Sequence, residues 1–344
     1  MTAAGASDVA HIDWIDAGTR FGVDDMAYFA GDGDLDDALG GIDLVITGPH
    51  SSAAFPAELQ PFVDVRFTRR LQYDFTDGST SPVARRWAAI DPHVLYIEDP
   101  HPRAVRDANR PRPEDVVAGL REAFARLDAA AEGERPSLAG VDAVRPVTFG
   151  YLPVLRQPLS DAEWDALEEA LAVAGSLGVD AYEQVRDDLV QRVIEAKLRR
   201  LVTLDQAAGT VEEWNSATTL DVLSLHDTMN HTARPDGAIC LARPPADRLP
   251  GVVALSNRGD ADGELRASAD GVLRDEVDVP TMDPARLRAI GRAYRIAFDV
   301  WEPDDVAFNR PYLGGHETQV FGPLLRRIEP RAMVRPPGAA PRRL

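Results

Sequence analysis

Short runs of β-branched and apolar residues alternate along the chain with longer stretches in which apolar residues recur every three or four positions. The short runs predict strands, and they occupy residues 42–47, 94–98, 220–226 and 252–256. The longer stretches predict helices, and they occupy residues 113–132, 160–175, 179–201 and 283–299. Strands that alternate with helices predict an α/β fold, which we expect to be a three-layer sandwich with a mixed, mainly parallel sheet.

Composition divides the chain further. The 26 glycines and 26 prolines concentrate between the periodic segments. Residues 1–40 are acidic and glycine-rich, and we expect them to form an N-terminal arm. Residues 41–330 are predicted to form one α/β domain with a helical insertion near 113–210, and residues 331–344 a C-terminal tail.

Charge and hydropathy limit the partners. The 37 basic and 56 acidic residues leave a net charge of −19, which repels nucleic acid and anionic membrane surfaces. An anionic small molecule would therefore need a local basic pocket. The chain has no apolar run of the roughly 20 residues that span a bilayer, and its first residues lack a signal-peptide pattern, so we expect a cytoplasmic protein. Cys240 is the single cysteine, so a metal would be held by His, Asp or Glu.

Residues with metal chemistry follow the predicted strands. His50 comes shortly after the first strand, His226 ends the third, and Asp74 and Asp77 lie between the first and second. Carboxyl ends of parallel strands meet at one edge of a sheet, where two imidazoles and a carboxylate would suit a catalytic zinc with an open fourth position. The alternative is structural, because a single histidine at a strand end is more often a hydrogen-bonding turn residue.

An arginine-rich loop follows the strand at 94–98. Its polar residues are His101, Arg103, Arg106, Asp107, Asn109, Arg110 and Arg112. Such a charge run is commonly a solvated face or a set of salt-bridge partners for acidic neighbours. The alternative is a carboxylate pocket, because the planar guanidinium binds carboxylates with two hydrogen bonds. In that interpretation Asp107 orients an arginine while Asn109 and Arg110 face the ligand.

Six segments, in order, resemble one known family. They are GPHSSAAFPAEL, FTDGSTSPVARRWA, PRAVRDANRPRP, LDVLSLHDTMN, LSNRGDADGEL and FNRPYLGGHETQVFG. Together they are similar to the N-formylglutamate amidohydrolase family, whose fold is related to zinc carboxypeptidases and aspartoacylases. The resemblance covers residues 41–110 and 215–322 and implies the phosphorylase/hydrolase-like form of the three-layer sandwich.

The resemblance also implies an activity and a set of site residues. It implies a zinc-dependent amidohydrolase that cleaves a small anionic N-formyl or N-acyl amino acid. One zinc per chain would be held by His50, Asp77 and His226. The substrate carboxylate or the polarised amide oxygen would be engaged by Arg103, Asn109 and Arg110. A loop carrying Asn309 and Tyr312 would close over the site.

Two departures from the family pattern leave alternatives open. The family has a general-base glutamate near its C-terminus, whereas the corresponding stretch here, RAMVRPPGAAPRRL, contains no acid. Glu317, which lies two residues after Gly314-Gly315, is our candidate for the base. Asp227 stands where the family usually has serine. The alternatives are a carboxypeptidase or aspartoacylase-like hydrolase, and a catalytically degenerate ligand-binding member of the same fold.

Overall fold

The computed structural model describes residues 12–30, 33–78, 80–207 and 209–226, together with four short strands further along the chain. Its strands are β1 (Trp14–Ile15), β2 (Ala27–Tyr28), β3 (Leu44–Gly48), β4 (Phe55–Pro56), β5 (Val94–Glu98), β6 (Asp221–Ser224), β7 (Thr232–Ala233), β8 (Ile239–Cys240), β9 (Val253–Leu255) and β10 (Val306–Phe308). Its helices are α1 (Val23–Met26), α2 (Leu35–Ala38), α3 (Arg69–Asp74), α4 (Thr80–Ile90), α5 (Val116–Ala129), α6 (Asp161–Leu177), α7 (Val179–Ala207) and α8 (Val211–Thr218).

The main sheet has four strands in the order β2, β5, β3, β6. β3 and β5 are parallel and fully buried, as the continuous apolar runs of both strands predict. β2 adds an antiparallel edge. On the other side of β3, Asp221 donates its N–H to the Asp43 carbonyl and Leu225 to the Thr47 carbonyl, both at 2.9 Å. The constant offset between these pairs makes β6 parallel to β3, so three carboxyl ends share one edge.

The predicted α/β class is confirmed by this mixture of helices and a mixed sheet. The strand predicted at 94–98 coincides with β5, and those at 42–47, 220–226 and 252–256 correspond to β3, β6 and β9. The helices predicted at 113–132, 160–175 and 179–201 correspond to α5, α6 and α7. The helix predicted at 283–299 lies outside the described residues. Among the described residues, no helix is both long enough and apolar enough to cross a membrane.

Local signals explain where the helices begin. Asp115, Ser160 and Thr210 precede α5, α6 and α8, and each side chain accepts a backbone N–H of the first turn. At α8, Glu213 also reaches back to the Thr210 N–H, which completes a capping box. These caps provide partners for N–H groups that a helix cannot pair internally.

The chain divides into two compact units. The first comprises Met1–Ala38, Leu44–Leu189 and Leu223–Arg248, and the second Leu39–Asp43, Val190–Val222 and Leu249–Leu344. In the first unit, α5 and α6 pack on an aromatic core that includes Phe55, Phe67 and Phe75. A separate cluster packs α4 against β3 and β5 through Ala84, Ala88, Ile46 and Tyr96.

A buried cation on α7 contacts Asp43 and α8 within the second unit. Lys197 on α7 is completely buried, and its Nζ donates to Asp43 Oδ1 and to the Ser216 carbonyl, both at 2.9 Å. Burial lowers the pKa of Lys197 although the Asp43 carboxylate opposes that shift. Nearby, Leu201, Leu204 and Trp214 form an apolar cluster among the described residues of this unit.

Replacing Lys197 tests whether this ion pair holds the second unit together. Lys197→Ala removes the charge, leaves a cavity and deprives Asp43 of its partner, so we expect the free energy of unfolding to fall by about 3 kcal/mol. Arg199→Ala, on the exposed side of the same helix, should change it by less than about 0.5 kcal/mol. Urea denaturation measures both variants, and equal effects would contradict this assignment.

Candidate metal centre

The carboxyl edge of the main sheet brings two histidines together. β3 ends at Gly48 and is followed by Pro49 and His50, and His226 comes two residues after the end of β6. The Leu225 N–H bond to the Thr47 carbonyl aligns the two strand ends. The imidazole ring centroids of His50 and His226 are consequently 5.1 Å apart.

The turn after β3 needs a glycine. A Cβ on Gly48 would collide with Ser51 Oγ and with the Tyr96 hydroxyl. Those two oxygens are themselves hydrogen-bonded at 2.8 Å, so neither could move without losing its partner. Gly48 therefore allows the chain to turn tightly against β5 and places His50 at the sheet edge.

Asp77 reaches the same point from the connection between α3 and α4. Its backbone N–H donates to the His50 carbonyl at 2.9 Å, and its own carbonyl accepts the Thr80 hydroxyl at 2.6 Å. Asp74, the other aspartate considered from the sequence, pairs instead with Arg70 one helical turn earlier. The backbone therefore fixes Asp77, and not Asp74, beside His50.

The three side chains converge through specific atoms. Asp77 Oδ2 lies 3.3 Å from His50 Nδ1 and 3.1 Å from His226 Nδ1. One ligand atom from each residue lies within 4.8 Å of the other two. Ligands about 2.0–2.1 Å from a tetrahedral zinc are about 3.3 Å apart, so these separations fit a shared metal ion. His50, Asp77 and His226 are also the ligand residues that the sequence analysis expects.

Asp107 fixes the opposite side of the His50 ring. Asp107 Oδ1 lies 2.6 Å from His50 Nε2 and accepts the Asn109 N–H at 2.8 Å. A carboxylate on the second ring nitrogen holds an imidazole in the tautomer whose other nitrogen binds a metal. The sequence suggested that Asp107 orients an arginine, but its short side-chain contact is with a histidine.

Burial and charge act in opposite directions on these groups. Burial would raise the pKa of Asp77, but Arg103 and the two histidines hold that pKa far below its usual value. Burial likewise acts to raise the pKa of Asp107, and His50 lowers it well below the ordinary range. Burial and Arg103 act to lower the pKa of His50, yet Asp107 and Asp77 raise it overall. Both aspartates are therefore carboxylates at neutral pH, as metal binding requires.

Arg103 and Asn109 adjoin the three ligands. Arg103 Nη2 donates to Asp77 Oδ1 at 2.6 Å, which leaves Oδ2 for the histidines. The His226 Nε2 atom lies 3.0 Å from Ser224 Oγ and 3.5 Å from Asn109 Nδ2. Ser224 and Asn109 thus contact His226 on the side opposite its ligand atom, as Asp107 contacts His50.

The remaining arginines of the loop form ion pairs. Arg106 donates to Glu183 and Asp180 of α7, and Arg112 also binds Asp180. Arg110 Nε donates to Asp142 Oδ2 at 3.0 Å. Arg106 and Arg112 thus serve as salt-bridge partners of acidic residues. Arg110 also forms an ion pair, but its side chain is partly exposed and adjoins Asn109.

His101 lies in the same loop but packs differently. A Cβ on Gly178 would collide with the His101 ring at Nδ1, and this ring meets Phe21 edge-on at 5.6 Å between centroids. Burial lowers the pKa of His101 to about 4. His101 is therefore a neutral packing residue that requires glycine at the junction of α6 and α7.

Other expected site residues lie outside the described residues: Glu317, Asn309, Tyr312 and Asp227. Their predicted roles stay predictions. The contacts of Asp107 and Ser224 with the ligand histidines were not expected. Asp107 comes two residues before Asn109, and Ser224 comes two residues before His226. Only the folded chain shows that each of them contacts the Nε2 atom of a ligand histidine.

Comparison with protein-family models, curated proteins and solved structures finds no match for this chain.

Removing the carboxylate behind His50 should weaken metal binding without removing a ligand. We expect Asp107→Asn to raise the zinc dissociation constant by about 10- to 100-fold, because the amide holds the reactive tautomer of His50 less firmly. Competition with a chromophoric chelator measures this constant. Asp142→Asn, which removes the partner of Arg110, is the matched control and should change it by less than about threefold. Equal constants for Asp107→Asn and wild type would contradict the role given to Asp107.

Proposed function

We propose that this protein is a zinc-dependent amidohydrolase that cleaves the amide bond of an N-formyl or N-acyl amino acid, as N-formylglutamate amidohydrolases do. The observation that carries the proposal is the convergence of His50 Nδ1, His226 Nδ1 and Asp77 Oδ2 at one sheet edge. Two imidazoles, one carboxylate and an open side are the ligand set of hydrolytic zinc centres. The family resemblance supplies the substrate class.

Each neighbouring residue has a chemical task in this proposal. Zinc held by the three ligands supplies a Lewis acid that polarises the scissile carbonyl and acidifies water. Asp107 keeps the Nδ1 lone pair of His50 directed at the metal, and Arg103 compensates the charge of Asp77. Asn109 and Arg110 present amide and guanidinium donors to the substrate carboxylate or to the developing oxyanion. Asn309 and Tyr312 close the site.

The general base has to be a further carboxylate. Asp77 is engaged by Arg103 and both histidines, and Asp107 is engaged by His50, so their strongly lowered pKa values make both poor proton acceptors. Glu317 is our candidate, because it follows two glycines in the segment that resembles the family's closing loop. It would take a proton from water and return it to the leaving amine.

The finer features of the proposal follow from the same resemblance and composition. The sheet belongs to a three-layer sandwich, the ion is zinc, and the protein acts in the cytoplasm on a small anionic substrate. Peptide C-termini and aspartoacylase-like amides would use the same carboxylate-binding residues. A ligand-binding protein without turnover would share the metal ligands and lack an effective base.

Turnover should depend on Asp77 and not on its neighbour. With zinc-loaded protein and a panel of N-formyl and N-acetyl amino acids, we expect Asp77→Asn to lower kcat/KM by about 10³-fold or more, because it removes a metal ligand. The matched control is Asp74→Asn, three residues away, which should stay within about threefold of wild type. Release of the free amine measures the rate. Zinc-loaded wild type that hydrolyses no member of the panel would contradict the proposed activity and favour the ligand-binding alternative.

Glu317→Gln separates the base from the metal site. We expect kcat to fall by about 10²- to 10⁴-fold with zinc content unchanged. Unchanged turnover in this variant, together with complete loss in His50→Ala, would show that another residue is the base while the metalloenzyme assignment stands.

A further inference from the structure

A short hairpin lies between α5 and α6 in the first unit. Thr148 donates its N–H to the Leu152 carbonyl at 2.8 Å, and the Val147 and Pro153 backbones form an antiparallel bridge. The Asp64 N–H bonds the Val154 carbonyl at 2.9 Å, which ties the hairpin to the aromatic core. The tip of the hairpin is therefore held in a fixed position.

The turn of this hairpin contains a strained residue. Tyr151 has φ of 62°, in the left-handed region that side chains disfavour. Its hydroxyl donates to the Pro136 carbonyl at 2.6 Å, and Thr148 Oγ1 accepts the N–H groups of Gly150 and Leu152. Strain that the surroundings maintain in this way is common where a protein positions functional groups.

The tip presents Phe149 to two guanidinium groups. The Phe149 side chain is exposed, yet its ring centroid lies 5.0 Å from Cζ of Arg103 and 4.8 Å from Cζ of Arg145. Arg103 is the residue that donates to Asp77 in the candidate metal centre. One aromatic ring therefore connects that centre to a second arginine.

Arg145 differs from the other arginines around the site. Arg103, Arg106 and Arg110 each have a carboxylate partner. Arg145 is only 9% exposed, and its hydrogen bonds are to neutral oxygens, at 3.4 Å from Nε to the Val147 carbonyl and to the side chain of Tyr151. Within the described part of the chain it forms no ion pair, because Asp142, whose charge acts on it, is bound by Arg110.

A buried guanidinium without a carboxylate is unfavourable for folding. Burial lowers the pKa of Arg145 more than Asp142 raises it, which agrees with incomplete neutralisation. A cation that the described part of the chain leaves without an anion is suited to an anion that arrives with a ligand.

We propose that Arg145 is a further substrate-binding residue, which takes a carboxylate of the ligand at a position separate from the metal ligands, with Phe149 as the aromatic wall between them. The proposal rests on the proposed function for the orientation of the substrate. It adds a specificity residue that the sequence motifs did not indicate. Arg103, in contrast, is committed to Asp77.

Two simple carboxylates test this assignment without turnover. In this assignment glutarate binds the metal with one carboxylate and Arg145 with the other, whereas butyrate has only one carboxylate. We expect zinc-loaded wild type to bind glutarate about 10- to 100-fold more tightly than butyrate, as measured by calorimetry. Arg145→Met should abolish this preference. Arg135→Gln is the matched control, because Arg135 is an exposed arginine over the Tyr151 ring, and it should keep the preference.

Thermal stability distinguishes a binding role from a structural one. If Arg145 serves the ligand, Arg145→Met should leave Tm unchanged or raise it, because an uncompensated buried cation is removed. A large fall in Tm together with a retained glutarate preference would overturn the proposal. If Arg145→Met does not fold, Arg145→Lys replaces it, because lysine keeps the charge but lacks the planar guanidinium. In that variant the glutarate preference should fall by about 10-fold. An unchanged preference would overturn the proposal.

The two proposals can fail separately. An Arg145-dependent glutarate preference in a protein that hydrolyses no acyl amino acid would retain the carboxylate site and contradict the proposed activity. The opposite result is turnover of acyl amino acids together with a glutarate preference that Arg145→Met does not alter. That result would support the proposed activity and overturn the role given to Arg145.

Discussion

The buried carboxylate of Asp77 is the group on which the candidate centre depends. One oxygen accepts a hydrogen bond from Arg103, and the other lies within 3.3 Å of both ligand histidines. A carboxylate at this depth is unfavourable unless cations or a metal compensate it. Arg103 supplies one positive charge, and the raised pKa of His50 allows another when no metal is bound. Zinc would replace the proton on His50 and satisfy the same carboxylate.

The fold provides this arrangement through strand ends. β3 and β6 deliver His50 and His226 from parallel neighbours, β5 leads into the loop with Arg103 and Asp107, and the α3–α4 connection adds Asp77. The strands are anchored by buried apolar side chains, so the core sets where the strand ends lie, and hydrogen bonds among the polar groups then orient their side chains. Because the apolar core holds the strands, the sheet remains stable although the site at its edge contains unfavourable buried charges.

Much of this was predictable from the sequence, and the exceptions have a physical cause. β5 follows from four consecutive apolar and β-branched positions, Val94 to Ile97, and the ligands follow from the chemistry of residues at strand ends together with the family resemblance. The partners of Asp107, Arg106 and Arg145 depend on which segments meet in space, and side-chain type does not encode that information. Arg145 in particular stands in a stretch without a recognisable motif, and only the folded chain shows that no carboxylate among the described residues pairs with it.

Metal content is the most direct test of the central claim that His50, Asp77 and His226 form a zinc site. Purified wild type and a His50→Ala, His226→Ala double variant should be incubated with zinc, passed through a desalting column and analysed by mass spectrometry of the metal. We predict about one equivalent of zinc per chain in the wild type and almost none in the double variant. Wild type that retains no zinc, or a double variant that retains as much as the wild type, would contradict the account.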